Sequence, residues 1–237
     1  MTAPPDRTLV AAVRAGLAEL ADPAAGATMQ AYMKSALPYH GVRLPVVRRL
    51  TRLLYDGRRL DDRACWEATV LALFDEATHR EEWYAALQLV GHRYYRGFVD
   101  PTSLVLYEHL ITTGAWWDVV DETSHRVGEV LLAWRPEAEP VVRRWSTSDD
   151  RWLRRASIIC QLGHRSSTDR ALLADGIDAN AGHRDFFVRK AIGWALRDYA
   201  RTDPHWVRAF VASRRHRLAP LSVREALKHV GADGAGS

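Results

Sequence analysis

Trp152-Leu153-Arg154-Arg155-Ala156 recurs as Phe187-Val188-Arg189-Lys190-Ala191 and again as Ser222-Val223-Arg224-Glu225-Ala226, thirty-five residues apart each time. Each copy opens a segment whose apolar residues return at three- and four-residue spacing, the period of an amphipathic helix. Extended backwards, the register brings Trp117 and Asp121 level with Trp152 and Ala156, and Trp83 and Leu87 one residue short of it. A two-helix unit repeated at this interval is the mark of an α-solenoid, in which each pair buries its apolar face against the next.

The flanking sequence fits that reading. Segments 62–74 with 81–95, 102–112 with 116–132, 137–146 with 151–162, 168–177 with 185–200 and 204–214 with 222–230 read as helix pairs. Helices over 10–20, 27–37 and 45–55 precede them, the first two separated by Asp22-Pro23 and the third opened by Pro45. No run alternates apolar and polar residues with β-branched enrichment, so the fold class expected is all-α. The expected organisation is one domain over residues 1–230, about six helix pairs, with a flexible glycine-rich tail over 231–237.

Composition narrows the class of function. Hydrophobic residues at 47% and charged residues at 26% suit a globular chain large enough to bury a full core. The longest apolar run, around Val70 to Phe74, is too short to cross a bilayer, and the polar start of the chain lacks a signal-peptide pattern, so a cytoplasmic protein is expected. Cys65 and Cys160 are too few for a disulfide framework or a structural zinc site and read as small buried apolar residues. No glycine-rich phosphate loop, metalloprotease histidine pair or nucleophile elbow occurs, so neither a metal nor a nucleotide cofactor is expected. A net charge of +4, carried mainly by arginine, is compatible with phosphate binding without requiring it.

Placement says more than the sum. Along 116–132, Trp116, Val120, Thr123, Val127 and Leu131 make one core-facing stripe, while Trp117, Asp121, Ser124 and Gly128 make a second. Asp121 stands where the other repeats carry Ala or Leu, and a carboxylate there is costly unless paired or solvated. It reads either as a surface acid or as part of a functional cleft, and local rules break most often where function needs it. Arg155 shares its stripe with Ile159 and Leu162 and requires an anionic partner, which a nearby Asp or Glu could supply. On the last long helix, Val188, Ile192, Ala195 and Tyr199 face the core and leave Phe187, Lys190, Trp194 and Arg197 together. That side is either a second packing face with snorkelling cations or a surface that follows a sugar-phosphate backbone. Arg43, Arg48, Arg49 and Arg52 read as a solvated basic face.

Tyr32-Met33-Lys34 with Gly41-Val42, Trp116 through Asp121, Trp152 through Ala156, Phe186 through Arg197, and Leu218 through Lys228 together resemble the AlkD family of bacterial DNA alkylation repair glycosylases. The resemblance spans nearly the whole chain and is most specific around Lys190, Gly193 and Trp194. It implies HEAT-like repeats with a concave basic face for double-stranded DNA. It also implies removal of cationic alkylpurines such as 3-methyladenine and 7-methylguanine, without base flipping, metal or cofactor. Carried over, it makes Asp121 the catalytic carboxylate, Trp117 and Trp194 the rings beside the lesion's sugar, and Arg155 the cation at the backbone. Lys190, Arg197, Phe187, Arg154, Arg189, Tyr32 and Lys34 form the expected DNA-contacting set, in a protein expected to act as a monomer. Two alternatives stand beside this reading: a self-resistance enzyme for bulky N3-alkyladenine adducts of an antibiotic, and a non-catalytic repeat module that binds DNA or protein.

Overall fold

The computed structural model describes residues 3–228 and 230, and among these it contains helices and turns but no strand. The tail expected over 231–237 lies outside the described residues. The helices are α1 (Arg7–Glu19), α2 (Pro23–Met33), α3 (Leu44–Gly57), α4 (Arg63–Asp75), α5 (Arg80–Val90), α6 (Ser103–Gly114) and α7 (Trp117–Ala133). They continue with α8 (Arg135–Ser146), α9 (Arg151–Ile159), α10 (Arg170–Asp178), α11 (Phe186–Tyr199), α12 (Pro204–Arg214) and α13 (Pro220–Ala226). Short 3-10 turns occupy Arg93–Phe98 and Arg165–Ser167. No helix among the described residues is long and apolar enough to cross a membrane.

Aspartate starts many of these helices. Asp6, Asp22, Asp62, Asp150, Asp169, Asp185 and Asp203 each accept a hydrogen bond from a backbone N–H in the first turn of the helix they precede. Such caps satisfy donors that have no partner within the helix and place negative charge at the positive end of its dipole. Local chemistry also explains where observed boundaries differ from those expected. The second helix begins four residues early because Asp22 caps it and Pro23 fills its first position, and it stops where Lys34 adopts a left-handed conformation at φ 50°. The helix expected over 81–95 ends at Val90 with Gly91 as its cap, and a separate 3-10 turn follows. The helix expected over 151–162 ends at Ile159, and the last one runs from Pro220 to Ala226.

The chain divides between Asp100 and Pro101 into two compact units. In the first, α3 and α4 each pack on α5, around the buried side chains of Tyr55, Trp66, Leu73 and Phe74. The Glu81 carboxylate there accepts the backbone N–H groups of His40, Gly41 and Val42 and fixes the loop before α3. Cys65 is only partly buried, contrary to expectation, while Cys160 in the second unit is fully buried and its thiol pKa is pushed up to about 12 by desolvation.

The second unit carries the repeat. Helices α7, α9, α11 and α13 pack in series, each on the next, and α6, α8 and α12 pair with α7, α9 and α11 or α13. Equivalent interactions recur at the interval expected from sequence. Asp150 caps Trp152 and Leu153, and Asp185 caps Phe187 and Val188. Arg154 Nε donates to the carbonyl of Ser148, and Arg189 Nε donates to that of His183. A shared core of Ile159, Ile177, Val188, Ile192, Leu196 and Val207 runs through these layers.

Candidate active site

Helix α7 begins at Trp117, and Asp121 lies one turn further on, so the indole and the carboxylate occupy neighbouring positions on one helix face. Val119, Val120, Thr123, Ser124 and Val127 are buried around them and fix the rotation of that face. Gly128 sets its depth, because a Cβ added there would come within 2.1 Å of the Cys160 carbonyl oxygen. Small residues at this crossing let α9 approach closely enough for its side chains to reach the first turns of α7.

Arg155 makes that reach. Its Nε donates to Asp121 Oδ1 at 2.7 Å, and one terminal nitrogen donates to Oδ2 at 2.9 Å, a bidentate pair. The other terminal nitrogen donates to the Phe187 carbonyl at 2.7 Å, at the start of α11. The guanidinium also lies 5.8 Å from the Trp194 ring centroid, within cation-π range. Arg155 is nearly inaccessible, with 6% of its side chain exposed against 17% for Asp121, so the carboxylate is the more open partner.

Burial pushes the Asp121 pKa above the ordinary value for an aspartate, while the bond and charge of Arg155 pull against that shift. Asp118 adds to the rise and His125 opposes it. The arrangement is a partly sheltered carboxylate held by two fixed hydrogen bonds beside half-buried indoles at 117 and 194. A carboxylate so fixed is suited to meeting a positive charge, because it need not reorganise when that charge appears.

The model of the DNA alkylation repair enzyme family matches residues 13–230 of this sequence. The chain belongs to that family. Consistent with membership of the DNA alkylation repair enzymes, a solved structure described as a predicted DNA alkylation repair enzyme from Enterococcus faecalis is similar throughout. It shares 27% identity with a TM-score of 0.81, over 90% of this chain and 98% of that one. No curated protein matches the sequence.

The structure of this family member sorts the sequence candidates. Asp121, Arg155 and Trp194 come together, with Trp117 a turn from Asp121. Trp116, expected in the core stripe, is instead the residue preceding α7, and its ring joins Trp152 and Phe187 in an aromatic cluster with centroids 4.9–6.0 Å apart. Arg154 is tied to the carbonyls at the end of α8 and to Asn180, and Arg189 to the His183 carbonyl. Lys190 and Arg197 both meet Glu225 on α13. Tyr32 and Lys34 belong to the first unit, where both are exposed. The four arginines at 43, 48, 49 and 52 are exposed as well. Among the described residues no group of three His, Cys, Asp or Glu side chains is placed to hold a metal ion.

Glu225 is the charged neighbour that sequence reasoning passed over. It was visible in the repeat itself, because it occupies the position that Arg155 and Lys190 hold in the two preceding copies.

Proposed function

We propose that this member of the DNA alkylation repair family is a monofunctional DNA glycosylase that releases cationic N3- and N7-alkylpurines from duplex DNA without flipping them out, leaving an abasic site. The observation that carries the reading is the Asp121 carboxylate, held bidentately by a buried Arg155 at a position where its sister repeats are apolar. Arg155 needs an acid there, but the carboxylate is the more open member of the pair. A reaction that generates positive charge would use that open side.

An N3- or N7-alkylated purine already carries positive charge, so it departs with the electron pair of its glycosidic bond and needs no proton from the enzyme. The positive charge then passes to the deoxyribose as an oxocarbenium ion. Asp121 faces that charge as an anion and stabilises it, and water adds at the anomeric carbon and loses its proton to the carboxylate or to solvent. Arg155 keeps the carboxylate in place and ionised. The Trp117 and Trp194 rings bound the sugar, offering electron-rich faces to the developing cation. One acid therefore suffices where ordinary glycoside hydrolysis, with its poor leaving group, uses two. Phe187, Lys190 and Arg197 on α11, Arg154 on α9 and Arg189, with Tyr32 and Lys34 of the first unit, are the proposed contacts to the DNA.

The test is release of free base from duplex DNA methylated to carry 3-methyladenine and 7-methylguanine. Asp121→Asn, which keeps the size and polarity of the side chain but removes its charge, is expected to lower release by roughly 100-fold or more, the scale of a lost electrostatic contact, while DNA binding persists. Release by Asp121→Asn at the wild-type rate would remove the carboxylate from the mechanism.

A further inference from the structure

Lys190 and Arg197 lie two turns apart on α11 and both turn toward one carboxylate, Glu225 of α13. Lys190 Nζ is 3.3 Å from Oε1, and an Arg197 terminal nitrogen is 2.6 Å from Oε2. Each cation thus holds a different oxygen, and the acid bridges them as a tetrahedral anion with separate oxygens could.

The position of Glu225 is imposed by the backbone. Gly193 lies between the two cations in sequence, and a Cβ added there would come within 2.5 Å of Glu225 Cβ and 3.0 Å of the Ser222 carbonyl. The glycine lets α13 close onto α11. The Ser222 hydroxyl fastens the crossing by donating to the Arg189 carbonyl. Glu225 is therefore delivered between Lys190 and Arg197 by close packing, with 14% of its side chain exposed. The cations are more open, at 41% for Lys190 and 25% for Arg197, so an incoming anion meets them before it meets the acid.

The repeat register sharpens the contrast. Arg155, Lys190 and Glu225 occupy the same place in three successive copies, so the charge reverses only in the last. A carboxylate on a face that is to meet a polyanion weakens that meeting through like-charge repulsion. Its retention beside two cations has a physical use: it holds both side chains in one geometry before the ligand arrives, reducing the order that binding must impose.

We infer that Glu225 is a positioning residue that stands in for a DNA phosphate, holding Lys190 and Arg197 as a two-pronged clamp which a backbone phosphate takes over on binding. The inference rests on the proposed use of α11 as a DNA-facing helix. It identifies these two residues as one phosphate site and makes the resident acid the competitor that sets its strength.

The experiment measures affinity of the full chain for an undamaged duplex across a salt series. Glu225→Gln keeps the shape and removes the charge, so both cations are left without their counter-anion. At low salt it is expected to bind more tightly by about threefold or more, because one repulsion near the backbone is removed, with log K falling more steeply against log salt by about 1. Glu225→Asp, which retains the charge, should keep the wild-type slope. Glu225→Ala removes the charge with no polar group to accommodate, and it provides the same reading if the glutamine variant does not fold. Unchanged affinity and slope on charge removal, with wild type binding well, would overturn the clamp and leave the proposed glycosylase untouched. Absence of DNA binding by wild type would instead overturn both.

Discussion

Asp121 illustrates how far one residue can be read from sequence. Its departure from the Ala and Leu of the other repeats was legible, as was the need of Arg155 for an anion among Ile159 and Leu162. That each answers the other was not, because the pair closes across thirty-four residues and depends on how α7 crosses α9. The protonation state of Asp121 is likewise a property of the fold. Burial raises its pKa, so ionised Asp121 is present above the raised value and lost as pH falls through it. Base release is therefore expected to decline on the acid side at a pH above the ordinary value for an aspartate, in a single-turnover pH profile at saturating protein. An acid limb at or below that ordinary value would place the catalytic charge on another group. The linkage to stability has the opposite sign. A raised folded-state pKa favours the native state below the unfolded value, and that contribution disappears as pH rises through the folded value. The ionised acid required for chemistry is thus a cost that the remaining core must offset.

At the level of elements, the helical character and repeat interval of the chain were readable because they depend on local periodicity and on recurring residue types. Boundaries were less so. The end of α2 is decided by a left-handed lysine, and the end of α5 by Gly91, neither of which breaks the apolar pattern before it. The functional weight of Gly128 was also hidden, since a glycine on a helix face can equally mark indifference. Its importance lies in the crossing: a methyl group there would strike the Cys160 carbonyl, which is backbone and cannot rotate away. Gly128→Ala is expected to cost about 1–3 kcal/mol in urea unfolding, the usual range for overpacking, despite the better helix propensity of alanine. Because the displaced helix carries Arg155, base release should fall in the folded variant as well. A gain in stability with full activity would show that α7 and α9 are not held at this distance by the glycine.

At the scale of the whole molecule, the sequence offers 33 Lys and Arg against 29 Asp and Glu, a modest cationic excess. The structure spends much of that charge internally. Arg155 is committed to Asp121, Lys190 and Arg197 to Glu225, Arg143 to Glu139 and Asp175, and Arg214 to Asp178. Arg154 and Arg189 are committed to backbone carbonyls. A side chain already paired contributes less to counterion release than a free one, since its charge is partly neutralised before DNA arrives. Non-specific binding is therefore expected to show a shallow salt dependence, with a log-log slope of magnitude below about 4, corresponding to only a few phosphates. Fluorescence anisotropy on an undamaged duplex between low and physiological salt measures it directly. A slope of about 8 or more would show that this pairing does not limit counterion release, either because the pairs open on binding or because exposed cations such as Arg43, Arg49 and Arg52 take the phosphates instead.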